Sequence, residues 1–554
     1  MEKTIYAAGR RQCTMRKQQG LKDAKRMENS ISQKEYAWKI LVFLTLLVGI
    51  CIRGLLSWQH FTHYDDIGLV ASLCRLGENF IKRLNYRDIG WTYAPFQVGI
   101  ISLLIDEKWG YIGNIILGRL PSLVFSIMNI VLITYLLVKV CHNRFAVFFS
   151  VVLITFSWEN IIYASQAEPY SIGVTAMLLC MLSYFWIVEK GKINVIAAAI
   201  ICAWECYASY QMFVYVFSLY ISLYVYFAYR KKTQELIKAI ISSVLSLIMC
   251  IPLLMKLQEY GLLGRSINWN TGTEGQFLFQ LEGVENKFTY IINFFVHNTA
   301  TLIRSFFVYK EQNLISDILS FAVFLAVLAG ILWIHYKKHL AAPFVDICLF
   351  LTCIMILMGK LTYSPSRHML VIEPLILFLC AMGIEFFWGF RKREAAIAAK
   401  LIYMGALLGI FVTFVLNFQA EFRLRKNRIS EKMVYEMIEE YNPVFITFYG
   451  NTFDLDIMRI KNYDKMLPGG LGPQCIKRSS AKSVKKGDCV IFYSIAAAIQ
   501  EEDIENIRSL IGDGKLELIE KSEYISDTDV EYAKGEFYNI PNSSYMYVYK
   551  IDEP

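Results

Sequence analysis

Hydrophobic and polar residues along this chain segregate into blocks instead of alternating. Blocks of about 20 apolar residues are long enough to cross the ~30 Å hydrocarbon core of a bilayer as helices. About eleven such spans are expected: 38–57, 112–138, 145–163, 171–188, 193–210, 212–229, 236–256, 314–335, 344–360, 369–389 and 398–417. The pattern changes after residue 418. "SEKMVYEMIEEY" has helical periodicity, while "PVFITFYG" and "DCVIFYS" are short β-branched and aromatic runs bounded by turn residues. "EEDIENIRSLIGDG" reads as a helix with acids early and a glycine stop, and "YMYVYKI" as a closing strand. Strands alternating with helices predict a small, mostly parallel sheet. The fold class expected is therefore an α-helical polytopic membrane protein with a C-terminal α/β domain.

Charge sets the orientation of the spans. The basic connections "VCHNR" near 142, "EKGK" at 189–192, "YRKKTQ" at 229–234, "HYKKH" at 335–339 and "FRKRE" at 390–394 alternate along the chain. They therefore share one side with the basic tail 1–37, which carries Arg10, Arg11, Arg16, Lys17, Lys25 and Arg26. By the positive-inside rule that side is the cytoplasm. The tail has no apolar core before Trp38, so it is not a cleavable signal peptide. An odd span count puts the C-terminal region 418–554 outside the cell membrane, with loops 58–111 and 257–313. Short apolar stretches in the first loop, "IGLVASLCRL" and "FQVGIISLLI", are suited to helices lying along the membrane surface.

Composition agrees with this picture. Of 554 residues, 55 % are apolar and 15 % aromatic, too greasy for a soluble protein of this length. The net charge of +8 would suggest nucleic acid in a soluble chain; here the cations flank apolar blocks and need no such partner. Most of the thirteen cysteines lie in spans, where Cys packs as a small apolar residue. Cys475 and Cys489 share the outer domain, as a disulfide or as two thiols. The seven histidines show no metal-ligand spacing, and "PGGLGP" reads as a turn, not a phosphate cradle.

Several polar residues sit where an apolar chain should avoid them. Asp65 and Asp66 follow the first span in "FTHYDDIGLV", as a solvated turn, a helix cap or a working pair. Arg119, in "GRLPSLVFSI", lies roughly two turns into the second span, about 10 Å along the helix; a charge that deep is paired or functional. Arg367 and His368 stand at the mouth of the tenth span, in "TYSPSRHMLVIEP" with Tyr363. "YASQAEPYSIGV" carries Glu168 and Tyr170 between the third and fourth spans, and "YAPF" occupies 93–96. Arg53 and Arg87 are further cations near the outer side. Tyr170 and Tyr363 also suit an aromatic belt.

In order and spacing, this series over 38–418 resembles the GT-C fold membrane glycosyltransferases, in particular the protein O-mannosyltransferase and lipid A aminoarabinose transferase group. There an acidic motif follows the first span, then a Pro-containing turn, an Arg-x-Pro-Ser helix start, a Pro-Tyr motif and a late Arg-Tyr. Here the acidic pair is Asp-Asp, His368 stands where Tyr is usual, and Glu168 replaces a common basic residue. The resemblance implies a sugar donor joined to a polyprenyl phosphate, used on the outer face for the cell envelope. It implies Asp65 or Asp66 as the base that takes the acceptor hydroxyl's proton. Arg119, Arg367, Arg87 and Arg53 become candidates for the donor phosphate, because a guanidinium matches phosphate with paired hydrogen bonds. Glu168, Tyr170, Tyr363 and His368 become candidates for the rest of the site. A divalent metal occurs in some relatives by fold, but one acidic pair without a second ligand cluster does not call for it. The acceptor would be a glycan, a lipid or a protein. Two other classes compete: a flippase or transporter of lipid-linked glycans, and a lipid-carrier glycan polymerase or ligase.

Overall fold

The computed structural model describes residues 37–58, 69–70, 73–74, 80–85, 94–259, 279, 286–307, 314–361, 363, 367–389, 393–427, 431–449, 463–466, 474–481, 483–494, 501–511, 515–524 and 544–553. It is a helical bundle followed by a small sheet. In chain order the helices are α1 (Ala37–Trp58), α2 (Phe80–Leu84), α3 (Pro95–Leu104), α4 (Gly110–Val140), α5 (Arg144–Phe156), α6 (Trp158–Ala164), α7 (Tyr170–Lys190), α8 (Val195–Ala208), α9 (Met212–Tyr229) and α10 (Thr233–Glu259). There follow α11 (Lys287–Arg304), α12 (Leu314–Tyr336), α13 (Ala342–Leu357), α14 (Glu373–Trp388, entered through a 3-10 turn Arg367–Ile372), α15 (Arg393–Asn427), α16 (Glu431–Tyr441) and α17 (Glu501–Leu510).

Among the described residues eight helices, not eleven, are long and apolar enough to cross a membrane. The expected third span is bent by 49° between α5 and α6 and counts as a ninth if taken as one crossing. The expected fifth and ninth spans are α8 and α13, of only 14 and 16 residues. The sequence blocks are mostly apolar, but Ser209–Gln211 and the segment after Leu357 leave the helix and shorten them. Loop 257–313 also contains a helix, α11, whose polar residues interrupt any apolar run.

Contacts between connections show how the helices are threaded. Trp38, at the start of α1, donates its indole N–H to the Arg144 carbonyl, 3.1 Å away. Lys139 pairs with Glu189 at 2.7 Å, and Glu385 accepts from the His142 amide at 3.0 Å. Ile193 donates to Glu235, and Lys232 donates to the Gly191 carbonyl. Trp333 lies 5.4 Å from Phe386. The basic connections thus meet at one end of the bundle. Several of their cations lie over aromatic rings near that end, as Lys190 does over Trp186 (4.1 Å) and Lys337 over Trp333 (4.5 Å). Because 189–193 and 231–235 touch, α8 must carry the chain away from that end and α9 must bring it back. Short as they are, α8 and α13 run between the same two ends as their longer neighbours. The opposite end gathers the described residues between α1 and α4, α11, and the described residues after α15.

The helices of this bundle pack through small residues. A Cβ on Gly330 would fall 1.9 Å from the Leu379 carbonyl oxygen, and one on Gly383 would fall 1.8 Å from that of Ala326. The backbones of α12 and α14 therefore touch directly, as small residues permit inside a membrane. Gly49 does the same for α1, since its Cβ would meet the Thr155 methyl at 2.5 Å.

The C-terminal sheet is six-stranded, ordered β2-β3-β1-β4-β6-β5, from β1 (Phe445–Tyr449), β2 (Tyr463–Met466), β3 (Gln474–Arg478), β4 (Cys489–Ser494), β5 (Lys515–Tyr524) and β6 (Ser544–Glu553). It is not mostly parallel: only β1 and β4 pair in parallel, and the other neighbours are antiparallel. β4 and β5 run the same way, but β6 is inserted between them. Side chains alternate across the sheet with period two. Val490, Phe492, Tyr547 and Tyr549 face one core with Ile504 of α17; Ile446, Ile491, Met546 and Val548 face another with Val434 and Ile438 of α16. That second core continues into Leu69, Val70, Leu73, Val98 and Ile101, so the domain is seated on described residues of the connection between α1 and α4. Cys489 is a free, buried thiol. The boundary expected at 417/418 falls inside α15, which runs unbroken to Asn427.

Candidate functional site

Two polar clusters occupy the end of the bundle beneath the sheet. The first is built around the α5–α6 break. At Ser157 the backbone leaves the helix (ψ 118°), which frees carbonyls at the end of α5. Arg53, on α1 and fully buried, fills that gap. Its Nε donates to Ser126 Oγ (2.8 Å), Nη1 to the Thr155 and Gly49 carbonyls (2.9 and 3.2 Å), and Nη2 to that of Ile154 (3.2 Å). A cation at a helix C-terminus also suits the local dipole. On the other side of the break, Trp158 donates its amide to the Phe306 carbonyl just beyond α11.

Two buried carboxyl groups adjoin this lock. Glu373, at the start of α14 and with no exposed surface, accepts from the Asn160 amide. Asn160 also donates to Ser157 Oγ at 3.1 Å. Glu159 is 5 % exposed; Ser305 hydrogen-bonds it, and it interacts electrostatically with Glu373, as Glu373 does with Arg53. One oxygen of each carboxyl, Oε1, is buried without a hydrogen-bond partner. An acid in the first turn and Pro374 beside it suit a helix start in their own right.

The second cluster surrounds the turn from Ser165 to Pro169, which is almost wholly buried. A buried loop needs its backbone groups satisfied from outside. Gln97 of α3 donates through Nε2 to the Ala167 carbonyl and to Ser122 Oγ, both at 2.9 Å, and Ser122 donates to the Glu168 carbonyl at 2.8 Å. Ser57 Oγ donates to Ala164 O at 3.1 Å, and Arg119 Nη1 reaches the Ser57 carbonyl at 3.4 Å. Asn129 donates to the Ser171 carbonyl, and Tyr163 meets Tyr170 edge-on at 4.8 Å. Val70 presses on Gly118: a Cβ there would meet Val70 Cγ2 at 2.5 Å and Ala167 Cβ at 3.7 Å.

Residues predicted from sequence are distributed as follows. Asp65, Asp66 and Arg87 lie outside the described residues. Arg119, Glu168 and Tyr170 come together, all buried, around the 165–169 turn. Arg53 lies at the break, with its donors engaged by protein acceptors. Tyr363 is elsewhere, bonded through its hydroxyl to Thr299 Oγ1 (2.6 Å) and packed against Phe294 and Phe295 of α11. Arg367 and His368 open the 3-10 turn before α14; their side chains are outside the described atoms. Sequence reading missed Glu159, Asn160 and Glu373, and also Glu205, fully buried on α8 beside Cys180 and Cys202. The signal was present: each is an acid or amide within an apolar span. Among the described residues no group of three or more His, Cys, Asp or Glu could hold a metal ion.

No known family model matches the chain, and no curated protein matches it.

Proposed function

We propose that the chain is an inverting glycosyltransferase of the outer membrane face, moving a sugar from a polyprenyl phosphate to an acceptor hydroxyl. The observation that carries this reading is the seat of Val70 on Gly118 and Ala167. Asp66 precedes Val70 by four residues, within about 14 Å of chain, while Gly118 and Ala167 adjoin Arg119 and Glu168. Val70, Gln97, Gly118 and Ala167, from four stretches far apart in sequence, thereby meet at one end of the bundle, beside the seat of the C-terminal domain. Asp65 takes the acceptor proton as the hydroxyl attacks the anomeric carbon, with Asp66 as its neighbour. The phosphate departs ionised and needs positive charge, not an acid. Arg119 is the best-placed described cation; Arg367 and Arg87 complete the candidates. Arg53, its described hydrogen bonds given to Ser126 and to three carbonyls, holds the break instead. The basic end faces the cytoplasm, and α8 and α13 complete the eleven crossings despite their length.

The test is a reconstitution with a polyprenyl-phosphate sugar and a hydroxyl acceptor. Release of free polyprenyl phosphate is expected, and Asp65→Asn should lower turnover by roughly two to four orders of magnitude while leaving donor binding intact. If Asp65→Asn and Asp66→Asn both retain full turnover, the base assignment fails. One observation favours a second reading, transport of a lipid-linked glycan: the α5–α6 break with buried charges beside it is what transporter sites use. A transporter would move the intact donor between leaflets and release no polyprenyl phosphate.

A further inference from the structure

We propose that Glu159 and Glu373 form a buried proton-binding site, a carboxyl pair that holds one proton in the resting protein. No step of the proposed transfer uses either group. The groups that meet the pair are Arg53 from α1, Asn160 at the break and Ser305 beyond α11, while Ser126 and Thr155 meet Arg53 and Ser157 meets Asn160. Arg53 is the only cation among the described side chains there. Two carboxylates against one guanidinium leave a net charge of −1 in a place with almost no exposed surface. An uncompensated charge there is expensive enough that the site takes up a counter-charge or neutralises itself.

Geometry selects a proton as that counter-charge. Arg53 directs its four described hydrogen bonds to Ser126 and to the Gly49, Ile154 and Thr155 carbonyls, none of them to a carboxylate. Glu373 Oε2 is fixed by Asn160, which can only donate there, and Ser305 serves Glu159. That leaves Oε1 of each carboxyl buried and unpartnered. A proton on either Oε1 removes the uncompensated charge without a further ligand and makes that oxygen a donor. Among the described residues no third His, Cys, Asp or Glu joins the pair to hold a metal ion.

The test uses the full-length protein in detergent at neutral pH with dicyclohexylcarbodiimide as probe. The probe adds across a protonated carboxyl in apolar surroundings and leaves a stable acylurea, located by mass spectrometry. Labelling at Glu159 or Glu373 is expected, together with an infrared carboxylic-acid carbonyl band that shifts in D2O. Comparison with a Glu159→Gln/Glu373→Gln double variant removes the contribution of Glu205. Each single Gln variant should keep its fold, because a neutral amide replaces one acid and leaves a simple Arg–Glu pair. Absence of label at both positions would overturn the proposal and point to a further cation, such as Arg367, as the counter-charge. Labelling governed by sodium concentration instead of pH would also overturn it. Should the double variant fail to fold, the labelling of the unmodified protein decides alone.

Discussion

Arg53 illustrates how little a charge's position in a span says about its work. From sequence it is a cation near the outer end of the first span, open to phosphate or to water. In the fold it closes a helix break, an assignment that depends on Gly49, Ser126 and the carbonyls of Ile154 and Thr155, none visible as partners in one dimension. Removing a buried, hydrogen-bonded charge that faces another costs roughly 3–5 kcal/mol. Arg53→Met should therefore lower the thermal midpoint sharply, read by unfolding in detergent. Arg53→Lys should fall between, because one ammonium cannot span acceptors on three helices. A Met variant as stable as the parent would show the break to be held by other contacts. Arg119 was legible at this scale, because an ionisable residue in an apolar span stands out on its own, while Glu168, in the connection before α7, was marked only by the motif around it. Glu159 and Glu373 satisfied the same criterion, but capping and motif reading drew attention elsewhere.

At the scale of elements, hydrophobic blocks gave nearly every bundle helix, because burial in lipid leaves its mark on each residue of a block. They could not give the break at Ser157, which is set by tertiary partners, nor the shortness of α8 and α13. In the sheet, β1, β4 and β6 were legible as apolar runs. β2, β3 and the edge strand β5, "KLELIEKSEY", are too polar to show a buried face, and without them the strand order read as parallel. Helix contacts yield two predictions. Gly383→Ala forces its methyl against the Ala326 carbonyl, and overpacking costs about 1–3 kcal/mol. Gly405→Ala, with nothing within 4 Å of its Cβ position, should be neutral or stabilising by up to ~1 kcal/mol. Thermal unfolding of the two variants should separate them, and equal midpoints would contradict direct backbone contact between α12 and α14. Gly118→Val should push Val70 off its seat and reduce turnover more than stability. If turnover is unchanged, the acidic pair does not depend on that seat.

For the whole molecule, the start of α1 and the sheet lie at opposite ends of the bundle, and the charge of the short connections leads us to propose that the α1 end faces the cytoplasm. A tag at residue 1 should be reached only from the cytoplasm and one at residue 554 only from outside; protease access to sealed vesicles reads both, and equal access would break the threading. The outer domain poses the larger question. Its α16 face is buried on Leu69, Leu73, Val98 and Ile101, yet Val70 keeps its own seat on α4 and the 165–169 turn within the membrane part. Cutting the chain after Asn427, where α15 ends, should therefore leave Val70 on its seat while removing the surface beside it. If the domain orients the acceptor, the cost should appear in the Michaelis constant for the acceptor, with turnover at saturation retained. Ile438→Asp in the full chain offers an independent check, because it places a charge in the shared core and undocks the domain without deleting it. Both variants should raise the acceptor's Michaelis constant and leave that of the donor unchanged. Complete loss of turnover in a truncation shown to be folded would instead place part of the reacting machinery in the outer domain.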